Sequence, residues 1–378
     1  MKKILLLLLL LCMPLSVFAE ELIPNAKSGI LIEAGSGKII YEKNIDEQVS
    51  VASMTKMVAQ IIILENIEKG KIKWNDIVTV SKNASDMGGS QIYLENGEKM
   101  SVEDLMKGIS VASGNDATVA MAEYISGSEE NFVKEMNKKV KELGLKNTHF
   151  VNCTGLDEKN HYSSAYDMAM IARELVINHS EILRFSSIYE DYLRKDTDNK
   201  FWLVNTNKLI SQYNGTDGLK TGHTDDAGYC LAATVKRDDL RLIGIVLGEK
   251  ESKVRNTETI SLLDYGFNNV KVKTLKKKNS LIRKVHIDKA NKEYIDLVLK
   301  DNLVVAEGLN EKNKYSFNIN VDDIKLPIKK NDKVGTIEVL LKNKVISKED
   351  LVSNSNVNKL NVLDLYKKNI LNIISGNM

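Results

Sequence analysis

The sequence predicts an α+β fold, followed by a small all-β unit and a terminal amphipathic helix. Three observations carry this reading. Apolar residues alternate on both sides of Gly35-Ser36-Gly37 in "GILIEAGSGKIIYEKN" (29–44), which signals a hairpin. Four segments between residues 101 and 180 repeat their apolar positions with helical period. Beyond Phe201 the pattern turns strand-like in "GLKTGHT", "GYCLAATVKR" and "LRLIGIVLG". An antiparallel sheet with a helical block set between its strands accommodates all three.

In chain order, "MKKILLLLLLLCMPLSVFAEE" comes first: two lysines, an apolar run, then Val17-Phe18-Ala19. It reads as a secretory signal over 1–19, excluded from the fold, and implies an exported protein. The apolar run is shorter than the ~20 residues a membrane span needs. Cys12 follows Leu11 rather than a small residue, which argues against lipoprotein processing. After the hairpin, "VASMTKMVAQIIILENI" (51–67) predicts a buried helix with Ser53 and Lys56 at its head. The helices "SVEDLMKGISVAS", "DATVAMAEYIS", "SEENFVKEMNKKVKELG" and "SSAYDMAMIARELVINH" follow, the first capped by Ser101 with Glu103 and Asp104 in its first turn. Then come the three strands and a helix over "SKVRNTETISLLDYGF". This domain is placed at 22–274. Short strand-like runs separated by Gly and Asn-Asp punctuation place a β-rich domain at 275–356. In 357–378, Leu360, Val362, Leu363, Tyr366, Ile370, Ile373 and Ile374 fall on one broad helical face, which Leu365 breaks.

Composition narrows the function. The chain is 43% hydrophobic and 28% charged, which fits a globular protein with a sizeable core. Loss of the two signal lysines takes the formal charge from +2 to zero, so nothing favours nucleic-acid binding. The lysine-rich "KVKTLKKKNSLIRKV" reads as a solvated face. Cys153 and Cys230 remain, at most one disulfide, and both read as small core residues. His149, His161, His179, His223 and His286 show no metal-ligand spacing, so no metal or organic cofactor is expected.

Chemistry concentrates at three separated strings. Ser53 and Lys56 share a helix face, so the lysine amine can reach the serine hydroxyl. That hydroxyl needs a base, and a lysine becomes one only if its pKa falls towards neutrality through burial or a second cation. A helix start adds free N–H groups for a developing oxyanion. Read alone, the pair is a capping serine and a solvent-facing lysine. Ser113-Gly114-Asn115 sits on a helix–helix loop, where side chains can project into a cleft. Lys220-Thr221-Gly222 sits on a strand: Lys220 could be the second cation, Thr221 could bind a carboxylate, and Gly222 lets substrate backbone approach. The triple on helix, loop and strand, in this order, is specific where each part is not.

S-x-x-K, S-x-N and K-T-G in this order resemble the penicillin-binding protein and serine β-lactamase superfamily. "VASMTK", "SGNDA", "HYSSAYDMAMIAREL" and "GLKTGHTDDAGY" resemble its low-molecular-mass D-alanyl-D-alanine carboxypeptidases across nearly the whole mature chain. The resemblance implies Ser53 as nucleophile and Lys56 as base, with Ser113 and Lys220 relaying the proton to the leaving D-alanine. It implies Asn115 holding substrate and Lys56, and the N–H groups of Ser53 and His223 as oxyanion donors. Thr221 and Arg255 would grip the terminal carboxylate, the arginine fork binding both oxygens. It further implies a peptidoglycan pentapeptide substrate, acylation by β-lactams, and peripheral contact of the terminal helix with the outer face of the cytoplasmic membrane. One departure is "NCTGLD" (152–157), where relatives commonly carry proline at position 153; it puts a thiol near the cleft.

Two rivals stand beside this reading. A class A β-lactamase would carry E-x-x-L-N, which the sequence lacks. A wall-binding scaffold without turnover would leave a D-Ala-D-Ala pentapeptide intact. The sequence leaves open the third stem residue, any transpeptidase side activity, the developmental role and the oligomeric state.

Overall fold

The computed structural model describes residues 21–309, 311–361, 363, 364 and 366. The expected signal lies outside the described residues, as does most of the expected terminal helix. Residues 363, 364 and 366 are helical, with Leu363 and Tyr366 exposed. No helix among the described residues is long and apolar enough to cross a membrane.

The hairpin Ser28–Glu33 with Ile39–Lys43 forms one side of a five-stranded antiparallel sheet. Leu240–Glu249, Gly228–Arg237 and Thr216–Thr224 continue it in that order, leaving the last as an edge strand. Alternate residues of each strand point to opposite faces. Ile30, Ile32, Ile243 and Ile245 enter a large core under the helical block, where Lys56–Glu68 and Ala165–Asn178 pack. Leu31, Leu242 and Val246 face the other way, against Leu262 and Leu263 of the helix Ser252–Asn269. The strand Ser28–Glu33, read from the sequence as alternating, is instead buried along its whole length because both faces of the sheet are covered.

The helix expected over 101–113 is built differently from its pattern. Ser101 caps it as expected, accepting from the Asp104 N–H at 3.1 Å. The α-helix spans only Val102–Lys107, and Gly108–Ala112 winds as π-helix before Ser113 turns left-handed at φ 65°. Two small ladders had no counterpart in the periodicity: Ile77–Thr79 with Lys99–Ser101, and Glu190–Leu193 with Phe201–Val204.

The all-β unit has its own core around Leu297, Leu299, Ile337 and Leu351. Its five-stranded antiparallel sheet runs Leu281–His286, Tyr294–Leu299, Lys344–Ser353, Lys333–Leu341, Ser316–Val321. A separate ladder pairs Val270–Lys276 with Leu303–Gly308. That ladder carries the chain across the expected boundary at 274.

Candidate active site

Ser53 sits in the 3-10 turn Ala52–Thr55, directly before the helix Lys56–Glu68. Ala52 holds φ 47°, a left-handed conformation that costs an alanine about 1–2 kcal/mol. Two glycines make room for this turn. A Cβ at Gly155 would fall 1.9 Å from the Ala52 carbonyl oxygen, and one at Gly222 would fall 2.6 Å from that of Val51. The Gly222 requirement therefore comes from the nucleophile's own backbone, where the sequence suggested substrate approach.

Lys56 is fully buried, with Nζ 2.8 Å from Ser53 Oγ and 2.6 Å from the Thr154 carbonyl oxygen. Burial brings its pKa down to about 7, against the opposing influence of Cys153 and Asp116. A shift of that size corresponds to about 5 kcal/mol of disfavoured charge. In the neutral amine, one N–H donates to Thr154 while the lone pair accepts the Ser53 proton. Asn115 does not hold Lys56. Its Nδ2 donates to the Gly88 carbonyl at 2.7 Å, and its buried Oδ1 has no partner among the described residues. Thr154, unnoticed in the sequence because its contribution is a backbone carbonyl, supplies the contact instead.

The thiol at position 153 is not accessible: Cys153 is fully buried and free, as is Cys230. Burial and nearby Glu129 push its pKa well up. Asp157, from the same loop, accepts from Ser50 Oγ at 3.0 Å and Thr224 Oγ1 at 2.7 Å. It ties the loop to both the nucleophile segment and the edge strand.

Ser113 is 3% exposed and its Oγ has no hydrogen-bond partner among the described residues. The π-helical turn and left-handed cap place this unpaired hydroxyl at the cleft. Lys220 is buried too, its Nζ donating to the Thr221 carbonyl at 2.9 Å. Burial, then Lys56 and Arg255, push its pKa well down. Arg255, on the helix Ser252–Asn269, is 5% exposed and meets no carboxylate among the described residues. Its Nε and Nη2 both donate to Asn256 Oδ1, at 3.1 and 2.7 Å. His223 is exposed and stacks on Tyr229, its partner across the ladder, at 4.0 Å between ring centroids.

Ser53, Ser113, Thr221, Gly222, His223 and Arg255 line one cleft of about 450 Å³, with Lys56 and Lys220 buried beneath it. Ser90, Thr206, Lys208 and Asn256 are among the other residues of its walls. Thr206 accepts from Thr221 Oγ1 at 2.7 Å. It lies just past the Phe201–Val204 strand, whose ladder the periodicity missed, so nothing drew attention to it. No carboxylate lines the cleft among the described residues. It carries a nucleophile, a buried base, an unpaired hydroxyl and spare cations, which suits acyl transfer from a substrate ending in a carboxylate.

A serine–lysine acyl-transfer site on this sheet-and-helix framework defines a serine hydrolase of the penicillin-binding type. Residues 17–251 match the family model of D-alanyl-D-alanine carboxypeptidases, and residues 271–359 match that of the penicillin-binding protein 5 C-terminal domain. The chain belongs to the D-alanyl-D-alanine carboxypeptidase family. It is 48% identical to the D-alanyl-D-alanine carboxypeptidase DacF of Bacillus subtilis over 340 residues, covering 88% of this chain and 87% of that protein. Its fold is similar to penicillin-binding protein 5 of Haemophilus influenzae, with TM-score 0.67, 32% identity, and 89% and 98% of the two chains covered. It also resembles penicillin-binding protein D2 of Listeria monocytogenes in an ampicillin-bound form, with TM-score 0.58, 30% identity, and 64% and 97% covered.

Proposed function

We propose that Ser53 attacks the carbonyl of the penultimate D-alanine in a peptidoglycan stem pentapeptide, giving an acyl-enzyme that water hydrolyses. The chain is a serine-type D-alanyl-D-alanine carboxypeptidase, and the roles of its residues follow from the cleft. The observation that carries the reading is the Lys56 amine, fully buried, drawn to neutrality and 2.8 Å from Ser53 Oγ. Lys56 takes the Ser53 proton as the Oγ–carbonyl bond forms. Ser113, whose hydroxyl is unpaired, passes a proton with Lys220 to the departing D-alanine nitrogen as the peptide bond breaks. The N–H groups of Ser53 and His223 stabilise the oxyanion, where one such donor is worth about 3 kcal/mol. Arg255 and Thr221 receive the terminal carboxylate, and the incoming anion favours the protonated form of Lys220. Asn115 keeps Oδ1 for the substrate's backbone.

β-Lactams acylate the same serine, in keeping with the ampicillin-bound relative. Mass spectrometry of a D-Ala-D-Ala pentapeptide, with fluorescent-penicillin labelling of wild type beside Ser53→Ala, tests the assignment. One alanine lost and no label on the variant is the expected outcome; a label that persists on Ser53→Ala removes it. Export through residues 1–19, action outside the cytoplasm and peripheral membrane contact through 357–378 complete the reading. Unchanged membrane fractionation after deletion of 359–378 would overturn that contact.

A further inference from the structure

The two halves of the chain carry opposite charge. Residues 21–270 hold 29 lysines and arginines against 37 aspartates and glutamates, a net −8. Residues 271–360 hold 20 against 12, a net +8. The overall balance near zero hides this separation, and the lysine-rich run alone reads as a solvated face.

In the fold the run is half of a groove. A cleft of about 520 Å³ opens between the strand Val270–Lys276 and the segment 311–314, with Lys271 and Lys273 on one wall and Lys312 and Lys314 on the other. Lys271 and Lys273, two residues apart on a strand, stand roughly 6.6 Å apart along it. The ladder shifts register between Thr274 and Lys276; Lys276 lies 6.0 Å over the Phe317 ring and Lys273 5.5 Å over Tyr315. The carboxylates of the cleft are already engaged. Glu307, 2% exposed, accepts from Tyr315 Oη at 2.5 Å and Lys273 at 3.2 Å, and Glu311 accepts from Lys38 at 2.6 Å. Lys271, Lys276, Lys312 and Lys314 meet no carboxylate among the described residues, and all four are exposed.

We propose that this cleft binds a linear phosphate polymer, with lysines on both walls meeting successive phosphates. The donor set decides the chemistry. It holds lysines and no arginine, so it offers point charges rather than the planar forks that select a carboxylate in two-pronged geometry. Regular spacing along a strand suits a repeating anion. Charges on two facing walls suit a strand laid between them, whereas a planar lipid surface would reach only the rims.

The test uses the full-length mature protein and sodium polyphosphate as probe, with inorganic phosphate and phosphatidylglycerol vesicles as comparison arms. Polyphosphate binding at micromolar concentration is expected, at least tenfold tighter than inorganic phosphate and tighter than the vesicles. The triple variant K271Q/K312Q/K314Q spares the engaged Lys273 and should weaken it at least tenfold. Loss of three contacts should also lower the slope of log affinity against log salt by about 2. Pentapeptide hydrolysis and the unfolding midpoint should stay unchanged in the variant. Equal affinity for inorganic phosphate, tighter binding to vesicles, no effect of the triple variant, or salt-sensitive self-association in place of polymer binding would each overturn the proposal.

Discussion

At Lys56 burial and the proposed proton transfer act on the same atom. Because burial brings the amine to about 7, its neutral fraction rises through physiological pH. The acylation rate with a fluorescent penicillin should therefore climb between about pH 6 and pH 8, half-maximal near 7, and a flat profile in stopped-flow would contradict the base assignment. Lys56→Arg keeps the charge permanently and should cost about 10³-fold in that rate. At Gly155 the constraint is steric. A methyl there meets the Ala52 carbonyl, and φ 85° disfavours any side chain. Gly155→Ala should lower stability by about 2–3 kcal/mol, read from urea midpoints, and slow penicillin labelling together with it. Labelling lost at full stability would mean that the glycine serves substrate rather than the turn.

The strand Leu240–Glu249 and the helix Ser252–Asn269 meet at a corner held by two carboxyl groups. Glu249 is fully buried, and burial with its neighbour Glu258 pushes its pKa up to about 8. Despite burial, hydrogen bonds from Glu249 and Asn25 hold Glu258 below the ordinary value, so the pair shares one proton. The unfolded chain binds that proton only below about 4.5, so between there and about 8 the folded state holds more protons. This corner's contribution to stability is thus present in acid and lost as pH rises to 8. Glu249→Gln keeps a donor without titrating, so its urea midpoint should fall less than that of wild type between pH 5 and pH 8. Parallel losses would rule out the shared proton. Arg255 lies one turn before Glu258, so the corner also sets where that arginine points.

Across the whole molecule, Lys38 of the hairpin turn reaches Glu311 of the β unit at 2.6 Å. Both side chains are more than a third exposed, so the pair is worth at most about 1 kcal/mol. Glu311→Gln should leave both the unfolding midpoint and pentapeptide turnover within error, whereas a marked drop in either would show that this contact fastens the two units together. The sequence by itself determined the sheet, the helical block, the β unit and the three chemical strings, because apolar period and turn chemistry are local and S-x-x-K is read within one turn of helix. Only the tertiary structure decided how those strings act. The π-helical turn before Ser113, the Thr154 carbonyl on Lys56, the burial that lowers the pKa of Lys220 and the closeness of Gly155 and Gly222 to the Ser53 turn all arise between segments far apart in the chain. Packing sets those distances and the local dielectric, and a pKa or a steric limit depends on both, so no pattern along the chain can carry them.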